Sequence, residues 1–68
     1  MSIVVNGETV DLEGPVSVVD VLRRINVGVD AAGVAVARNG EVVPRSSWTT
    51  IEVVAGDQIE VLHAVQGG

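Results

Sequence analysis

Apolar and polar residues alternate with a period of two in the first dozen positions, which predicts two β-strands. In residues 2–5 and 8–12 the alternate side chains are Ile, Val or Leu, so each strand can turn one apolar face inward. Asn6 and Gly7 separate the strands, and both residue types tolerate the positive φ angles of a two-residue turn. The pattern therefore predicts an N-terminal hairpin.

The same combination returns in the middle of the chain. Residues 34–38 and 41–43 are rich in valine and flank Asn39 and Gly40, so they predict a second hairpin. Pro44 follows it and cannot donate to a strand ladder, which favours a short strand or an edge strand. The polar stretch "RSSWTT" that comes next predicts a turn or a short 3₁₀ segment.

Between the two predicted hairpins the apolar period changes to about 3.6, which predicts an amphipathic helix. Ser17 can cap its first N–H groups, with Asp20 as the acidic third residue of a capping box. Gly28 is the expected stop. The apolar stripe of this helix consists of Val18, Val21, Leu22 and Ile25.

Residues 58–65, "QIEVLHAV", alternate again after a turn at Gly56 and Asp57, and they predict the last strand. The predicted element order is β-β-α-β-β-β, an α+β domain in which one helix covers one face of a four- to five-stranded sheet. The other face should be more exposed. The helix is expected to meet Ile3, Val5, Leu12, Val36, Ile59 and Val61.

The composition narrows the function classes. A chain of 68 residues is one small domain, and with no cysteine and one histidine it has neither a disulfide nor a typical zinc site. Nine acidic residues against four arginines give a net charge of −5, which argues against nucleic acid and favours a basic protein partner. No leader pattern or membrane-spanning apolar run is present, so a cytoplasmic protein is expected.

The hydroxyl and carboxyl side chains predict no enzyme site. A serine nucleophile needs a base, and His63 is the only candidate for the three serines considered. The spacing of these residues indicates no ordered Ser-His-Asp triad. We interpret them as capping and turn residues, and the acidic residues of the C-terminal third as ordinary surface carboxylates. The residues considered are Ser17, Ser46 and Ser47 as nucleophiles, and Glu52, Asp57 and Glu60 as acids or bases.

Two single residues leave alternatives open. Trp48, which is the only aromatic residue, is interpreted as a core residue, with an exposed anchor for a partner as the alternative. His63 is interpreted as a partly buried or interface side chain rather than a group with a direct role in chemistry.

Gly67 and Gly68 come one residue after the last predicted strand, so the chain is predicted to divide into a domain of residues 1–66 and a flexible tail of residues 67–68. Two glycines can pass through a narrow channel, because they carry no side chains and accept most backbone angles. The terminal carboxylate would react only in an activated form such as an acyl-adenylate, which a partner enzyme must supply.

The whole chain resembles the sulfur carrier proteins of thiamine biosynthesis (ThiS), a ubiquitin-like β-grasp family. The resemblance rests on "IVVNGE", "SVVDVLRRI", "VAVARNGEVVPRSSW" and "AGDQIEVLHAVQGG". The last of these stretches is also similar to the small subunit of molybdopterin synthase, whereas the stretch from Pro44 to Trp48 favours the thiamine branch.

The resemblance implies a carrier that is not itself an enzyme and binds no cofactor. A partner E1-like adenylyltransferase would use ATP and Mg²⁺ to adenylate Gly68, and sulfur from a cysteine desulfurase would displace AMP. The thiocarboxylate would then donate its sulfur to thiazole synthase. Gly67 would allow passage of the tail.

The resemblance also implies that partners dock on the exposed sheet face and the strand that leads to the tail. The same chemistry in molybdopterin or amino-acid biosynthesis, a protein modifier joined through Gly68, and a β-grasp binding module stay open as alternatives. The residues expected at the interface are Val42, Val43, Leu62, His63 and Ala64, with Gln66, where the sequence departs from the family pattern.

Overall fold

The computed structural model describes residues 1–30 and 32–63, in which one helix packs against a five-stranded sheet. Two very short strands, one directly before the helix and one after the 3₁₀ turn, form a separate two-stranded sheet. The elements are β1 (Ser2–Val5), β2 (Glu8–Asp11), β3 (Val16–Ser17), α1 (Val18–Arg24), β4 (Val34–Arg38), β5 (Glu41–Val43), a 3₁₀ turn (Arg45–Ser47), β6 (Glu52–Val53) and β7 (Gln58–His63).

The five-stranded sheet has the order β2-β1-β7-β4-β5, so the last strand of the chain lies in the middle. β7 runs parallel to β1 and antiparallel to β4, and the two hairpins supply the outer strands. β5 is an edge strand that Pro44 follows directly, in agreement with the prediction. The mixed sheet with its single helix confirms the predicted α+β class.

Both predicted hairpins form around left-handed turn residues. The φ angles are 49° at Asn6 and 83° at Gly7, and 51° at Asn39 and 85° at Gly40. Positive φ at both central positions is the type I′ geometry, whose twist matches that of the flanking strands. The Asn-Gly pairs therefore fix the register of each hairpin locally.

The helix begins as predicted and ends earlier than predicted. The Ser17 hydroxyl accepts from the Asp20 N–H at 3.2 Å, and the Asp20 carboxylate accepts from the Ser17 N–H at 2.9 Å, which completes the capping box. The backbone N–H of Ser17 lowers the pKa of Asp20, because it stabilises the carboxylate.

Gly28 was the wrong prediction for the helix stop, because Asn26 takes the left-handed conformation with φ 61°. The Asn26 N–H donates to the Arg23 carbonyl and the Val27 N–H to the Leu22 carbonyl, at 3.1 and 2.9 Å. These are the two hydrogen bonds of a Schellman motif, in which asparagine is the usual substitute for glycine.

The element order differs from the prediction by the strands β3 and β6. Val16 pairs with Val53 and Ser17 with Glu52, so the helix N-terminus is joined to the segment that precedes β7. Two residues are too few to show a period in the sequence, and each strand exists only because its distant partner is there.

The core lies between α1 and the sheet and is almost wholly aliphatic. Trp48 is buried as well, with 3% of its surface exposed, and its indole N–H donates to the Val43 carbonyl at 3.0 Å. The Arg45 guanidinium lies 4.5 Å from the centre of its ring. Trp48 is therefore a core residue, and the alternative of an exposed anchor is wrong. The buried hydrophobic residues are Ile3, Val5, Leu12, Val16, Val18, Val19, Val21, Leu22, Val34, Val36, Val43, Trp48, Val53, Ile59 and Val61.

Candidate functional site

The strand β7 leads toward the C-terminal glycines, and its two faces have different surroundings. Ile59 and Val61 are buried beneath the helix, whereas Glu60 and Leu62 are exposed on the opposite face. His63 ends the strand as an exposed residue opposite Val34 of β4. The last described residue of β7 is therefore at the surface, and the sequence continues from there to Gly68.

Asp57 precedes β7 and is buried, with 4% of its surface exposed, so its prediction as a surface carboxylate is wrong. Its Oδ2 accepts from Arg38 Nε and from the Val54 N–H, both at 2.8 Å, and its Oδ1 accepts from Asn39 Nδ2 at 3.0 Å. Burial alone would raise the pKa of Asp57, but the bonds from Val54, Arg38 and Asn39 outweigh it and lower that pKa. The charged carboxylate thus ties β7 to the second hairpin.

The turn asparagines of both hairpins also bond to β7 or to the residue before it. Asn39 Oδ1 accepts from the Gln58 N–H at 2.9 Å, at the start of the strand. Asn6 Oδ1 accepts from the Val61 N–H at 2.8 Å, and Asn6 Nδ2 donates to the Val61 carbonyl at 3.2 Å. Sequence reasoning assigned these asparagines only to the turns, because nothing local shows that their side chains reach a strand about 20 or 55 positions away.

An apolar patch lies on the sheet face that the helix leaves uncovered. Val42 is 76% exposed and Leu62 61% exposed, and β4 runs between their strands. On β4, Ala37 pairs with Val42 and Ala35 pairs with Leu62, so all four side chains share one face. We call Ala35, Ala37, Val42 and Leu62 the open-face patch. The two alanines were missed, although the alternation in "VAVAR" placed them opposite the buried valines.

Val43 does not belong to this patch, and its prediction as an interface residue is wrong. It pairs with Val36 on the helix side of the sheet and is 7% exposed. Adjacent residues of a strand point to opposite faces, so Val42 and Val43 cannot both be on the open face.

The remaining predicted site residues lie outside the described residues: Ala64, Gln66, Gly67 and Gly68, together with the predicted domain boundary at 66/67. The serines that were considered as nucleophiles are indeed capping and turn residues. Ser17 caps α1, and Ser46 and Ser47 belong to the 3₁₀ turn.

The charges around the open-face patch are negative. Glu60 is exposed and pairs with Ala37, and at the other side of the same face Asp11 accepts from the Ser2 hydroxyl at 2.7 Å. All four arginines lie elsewhere, on α1, at the end of β4 and in the 3₁₀ turn. The open face therefore combines exposed apolar side chains with carboxylates.

In residues 1–30 and 32–63, no group of three or more His, Cys, Asp or Glu side chains could hold a metal ion. A surface cavity of about 250 Å³ lies beside the second hairpin, where Glu41, Pro44 and Ser47 are among its lining residues. Within this part of the chain, the helix is too short to cross a membrane.

The single helix packed across a mixed five-stranded sheet, with the C-terminal strand at its centre, defines a ubiquitin-like β-grasp protein. The family model of the ThiS family matches residues 3–68. The chain therefore belongs to the ThiS family.

Solved structures agree with this assignment. A crystal structure of a thiamine biosynthesis protein (ThiS) from Geobacter metallireducens matches with a TM-score of 0.81 and 33% identity, over 100% of both chains. A solution structure of a thiamine biosynthesis protein from the same organism matches with a TM-score of 0.80 and 36% identity, over 100% of this chain and 88% of the other.

A curated relative from Paramagnetospirillum magneticum, named thiazole synthase, is 38% identical over all 68 residues. The chain spans only 20% of the length of that relative. The match therefore likens this chain to one part of a longer protein.

Proposed function

We propose that the chain is a cytoplasmic sulfur carrier for thiazole formation in thiamine biosynthesis. The observation that carries the proposal is the match to the ThiS family over residues 3–68, which includes the terminal Gly67 and Gly68. The name of the curated relative, thiazole synthase, points to the same step.

The sulfur is carried on the C-terminal carboxylate of Gly68. A partner adenylyltransferase uses ATP and Mg²⁺: a carboxylate oxygen attacks the α-phosphorus, pyrophosphate leaves, and an acyl-adenylate forms. A persulfide sulfur, supplied by a cysteine desulfurase, then attacks the acyl carbon and AMP departs. Reductive cleavage of the sulfur–sulfur bond by a thiol leaves the thiocarboxylate, which passes its sulfur to thiazole synthase. In this scheme the chain is a co-substrate and contributes no catalytic side chain.

The open-face patch is the docking surface in this proposal. Val42 and Leu62 are large exposed apolar side chains on one face, and transient interfaces commonly use such patches. The carboxylate of Glu60 beside them suits a partner surface that combines apolar and basic residues. His63 is exposed at the end of β7, but it alternates with Leu62 and pairs with Val34, so it lies on the helix side of the sheet and outside the open-face patch.

Intact-mass analysis tests the proposal directly. The purified chain is incubated with the adenylyltransferase, ATP, the desulfurase and cysteine, and we expect the mass change of one oxygen replaced by one sulfur. Omission of ATP and deletion of Gly68 should each prevent this change, with circular dichroism to show that the shortened chain is folded.

The other outcomes separate the alternatives. A gain of another protein's mass would indicate a modifier, and no change with active partner enzymes would indicate a binding module. Sulfur loading after deletion of Gly68 would contradict the proposed site. Adding thiazole synthase or molybdopterin synthase to the loaded carrier would show which pathway consumes the sulfur.

A further inference from the structure

The pairing between β1 and β7 is short, and Asn6 makes its last hydrogen bonds. Only Val4 and Val5 of β1 are in register with β7, opposite Gln58 and Ile59. The Asn6 N–H then donates to the Ile59 carbonyl at 2.9 Å, after which the chain turns away with φ 49° at Asn6. The backbone of the first hairpin therefore pairs with β7 no further than Ile59.

The Asn6 side chain extends this pairing to Val61. Its Oδ1 accepts from the Val61 N–H at 2.8 Å and its Nδ2 donates to the Val61 carbonyl at 3.2 Å. A carboxamide offers one acceptor and donors in the arrangement of a peptide group, so it can stand in for the next residue of a strand. Asn6 thus closes the β1 side of β7 seven positions before Gly68.

We propose that Asn6 is a positioning residue for sulfur loading, and that its carboxamide fixes the last point at which β7 is held on its β1 side. This inference rests on the proposed function. If partners dock on the open face, the reach of Gly68 into an active site depends on where the last strand is held. A small displacement of a reacting group lowers the rate of its reaction strongly. We therefore expect the position at which Val61 is held to affect kcat more than KM.

The second hairpin provides a matched control within the same chain. Asn39 has the same turn position and the same left-handed φ, and its carboxamide also makes two side-chain hydrogen bonds, to Gln58 and Asp57. Those bonds lie at the start of β7, at the end of the strand away from Gly68. If Asn6 only stabilised the fold, its loss would not lower the kcat of the folded protein more than the loss of Asn39 does.

The experiment compares Asn6→Gly with Asn39→Gly. Glycine accepts the positive φ of either turn, so each change removes the carboxamide and keeps the hairpin geometry. Both variants are studied at a temperature well below the midpoint of their thermal unfolding. Two readouts are measured: amide hydrogen exchange at Val61, and the kcat and KM of sulfur loading by the partner enzymes.

For Asn6→Gly we expect exchange at Val61 to accelerate and kcat to fall, each by about tenfold, with KM for the carrier within about twofold of wild type. For Asn39→Gly we expect the exchange rate at Val61 and the kcat of sulfur loading each to stay within about twofold of wild type. Asn6→Asp keeps the acceptor for the Val61 N–H and loses the donor for the Val61 carbonyl. Its kcat should therefore lie between that of Asn6→Gly and that of the wild type.

Equal losses of kcat in the two glycine variants, or an unchanged kcat in Asn6→Gly, would overturn the inference while leaving the proposed function in place. A loss confined to KM would overturn it as well, because it would assign Asn6 to docking. If the wild-type chain acquires no sulfur from active partner enzymes, the proposed function fails, and the inference fails with it.

Discussion

The two faces of the sheet use the same residue types for opposite purposes. On β5, Val43 is 7% exposed and packs into the core, whereas its neighbour Val42 is 76% exposed. The leucines show the same contrast, with Leu22 of α1 fully buried and Leu62 of β7 61% exposed on the open face. Hydrophobicity alone therefore does not assign a residue to the core or to an interface in this chain. The face on which it lies decides.

The contrast also separates stability from recognition. Burying an aliphatic side chain stabilises the folded state by about 1.5–3 kcal/mol. In a domain this small, the side chains on the covered face supply most of the total stabilisation from burial. We expect the open-face patch to contribute little to the stability of the fold, because Val42 and Leu62 stay largely exposed. Three predictions test this separation, and they are ordered by their expected effect on the free energy of unfolding.

The largest effect is expected for truncation of a leucine on the covered face. Leu22→Ala should lower the free energy of unfolding by about 3 kcal/mol, because it leaves a cavity in a close-packed core. Leu62→Ala makes the same chemical change on the open face and should change it by no more than about 0.5 kcal/mol. Urea denaturation followed by circular dichroism measures both, and similar losses for the two variants would contradict the comparison.

An intermediate effect is expected for the buried carboxylate before β7. Asp57→Asn should lower the free energy of unfolding at pH 7 by about 1–2 kcal/mol, because the bond from Arg38 loses its charged acceptor. The pKa of Asp57 is lowered in the folded protein, so its carboxylate stabilises the fold above the unfolded pKa of about 4. That contribution should be lost as the pH falls through the lowered pKa.

The pH dependence provides the check on this prediction. The difference between wild type and Asp57→Asn should be constant from pH 5 to pH 7 and should shrink below about pH 4, as measured by denaturation at each pH. Glu60→Gln, at an exposed carboxylate of the open face, is the control and should stay within about 0.5 kcal/mol of wild type throughout. A difference that grows toward low pH would contradict the assignment.

The smallest effect on folding is expected for a charge placed in the open-face patch. Leu62→Glu should leave the free energy of unfolding within about 0.5 kcal/mol of wild type, yet lower kcat/KM for sulfur loading about tenfold or more, because it places a charge in the proposed docking surface. Val54→Glu makes a similar change at a residue that is 50% exposed and lies before β7. Loading that is equally impaired by both variants would remove the open-face patch from the proposed interface.

The sequence was most informative where a structure depends on neighbouring residues. Both Asn-Gly turns, the capping box at Ser17 and the two-residue period of β4 were predicted, because each is determined within a few positions. The fold class followed from the order of these local patterns. The interpretation of Trp48 as a core residue was confirmed, since 3% of its surface is exposed.

Several of the features that were missed or wrong depend on distant partners. The buried Asp57 accepts hydrogen bonds from Arg38 and Asn39 of the second hairpin, and no local pattern indicates these partners. The strands β3 and β6 exist only as a pair. Val43 is different, because its place in the core could have been deduced from strand alternation, had each residue been assigned to a face.

The central position of β7 has a mechanical consequence. β7 is flanked by β4 over most of its length and by β1 only at Gln58 and Ile59, and both neighbours run along its axis. If an enzyme draws the C-terminal end into a channel, the pull acts along β7 and strains the flanking hydrogen bonds together, in shear, instead of opening them one at a time from an edge. We therefore expect the domain to stay folded under such a pull, because the hydrogen bonds beside β7 would have to break together.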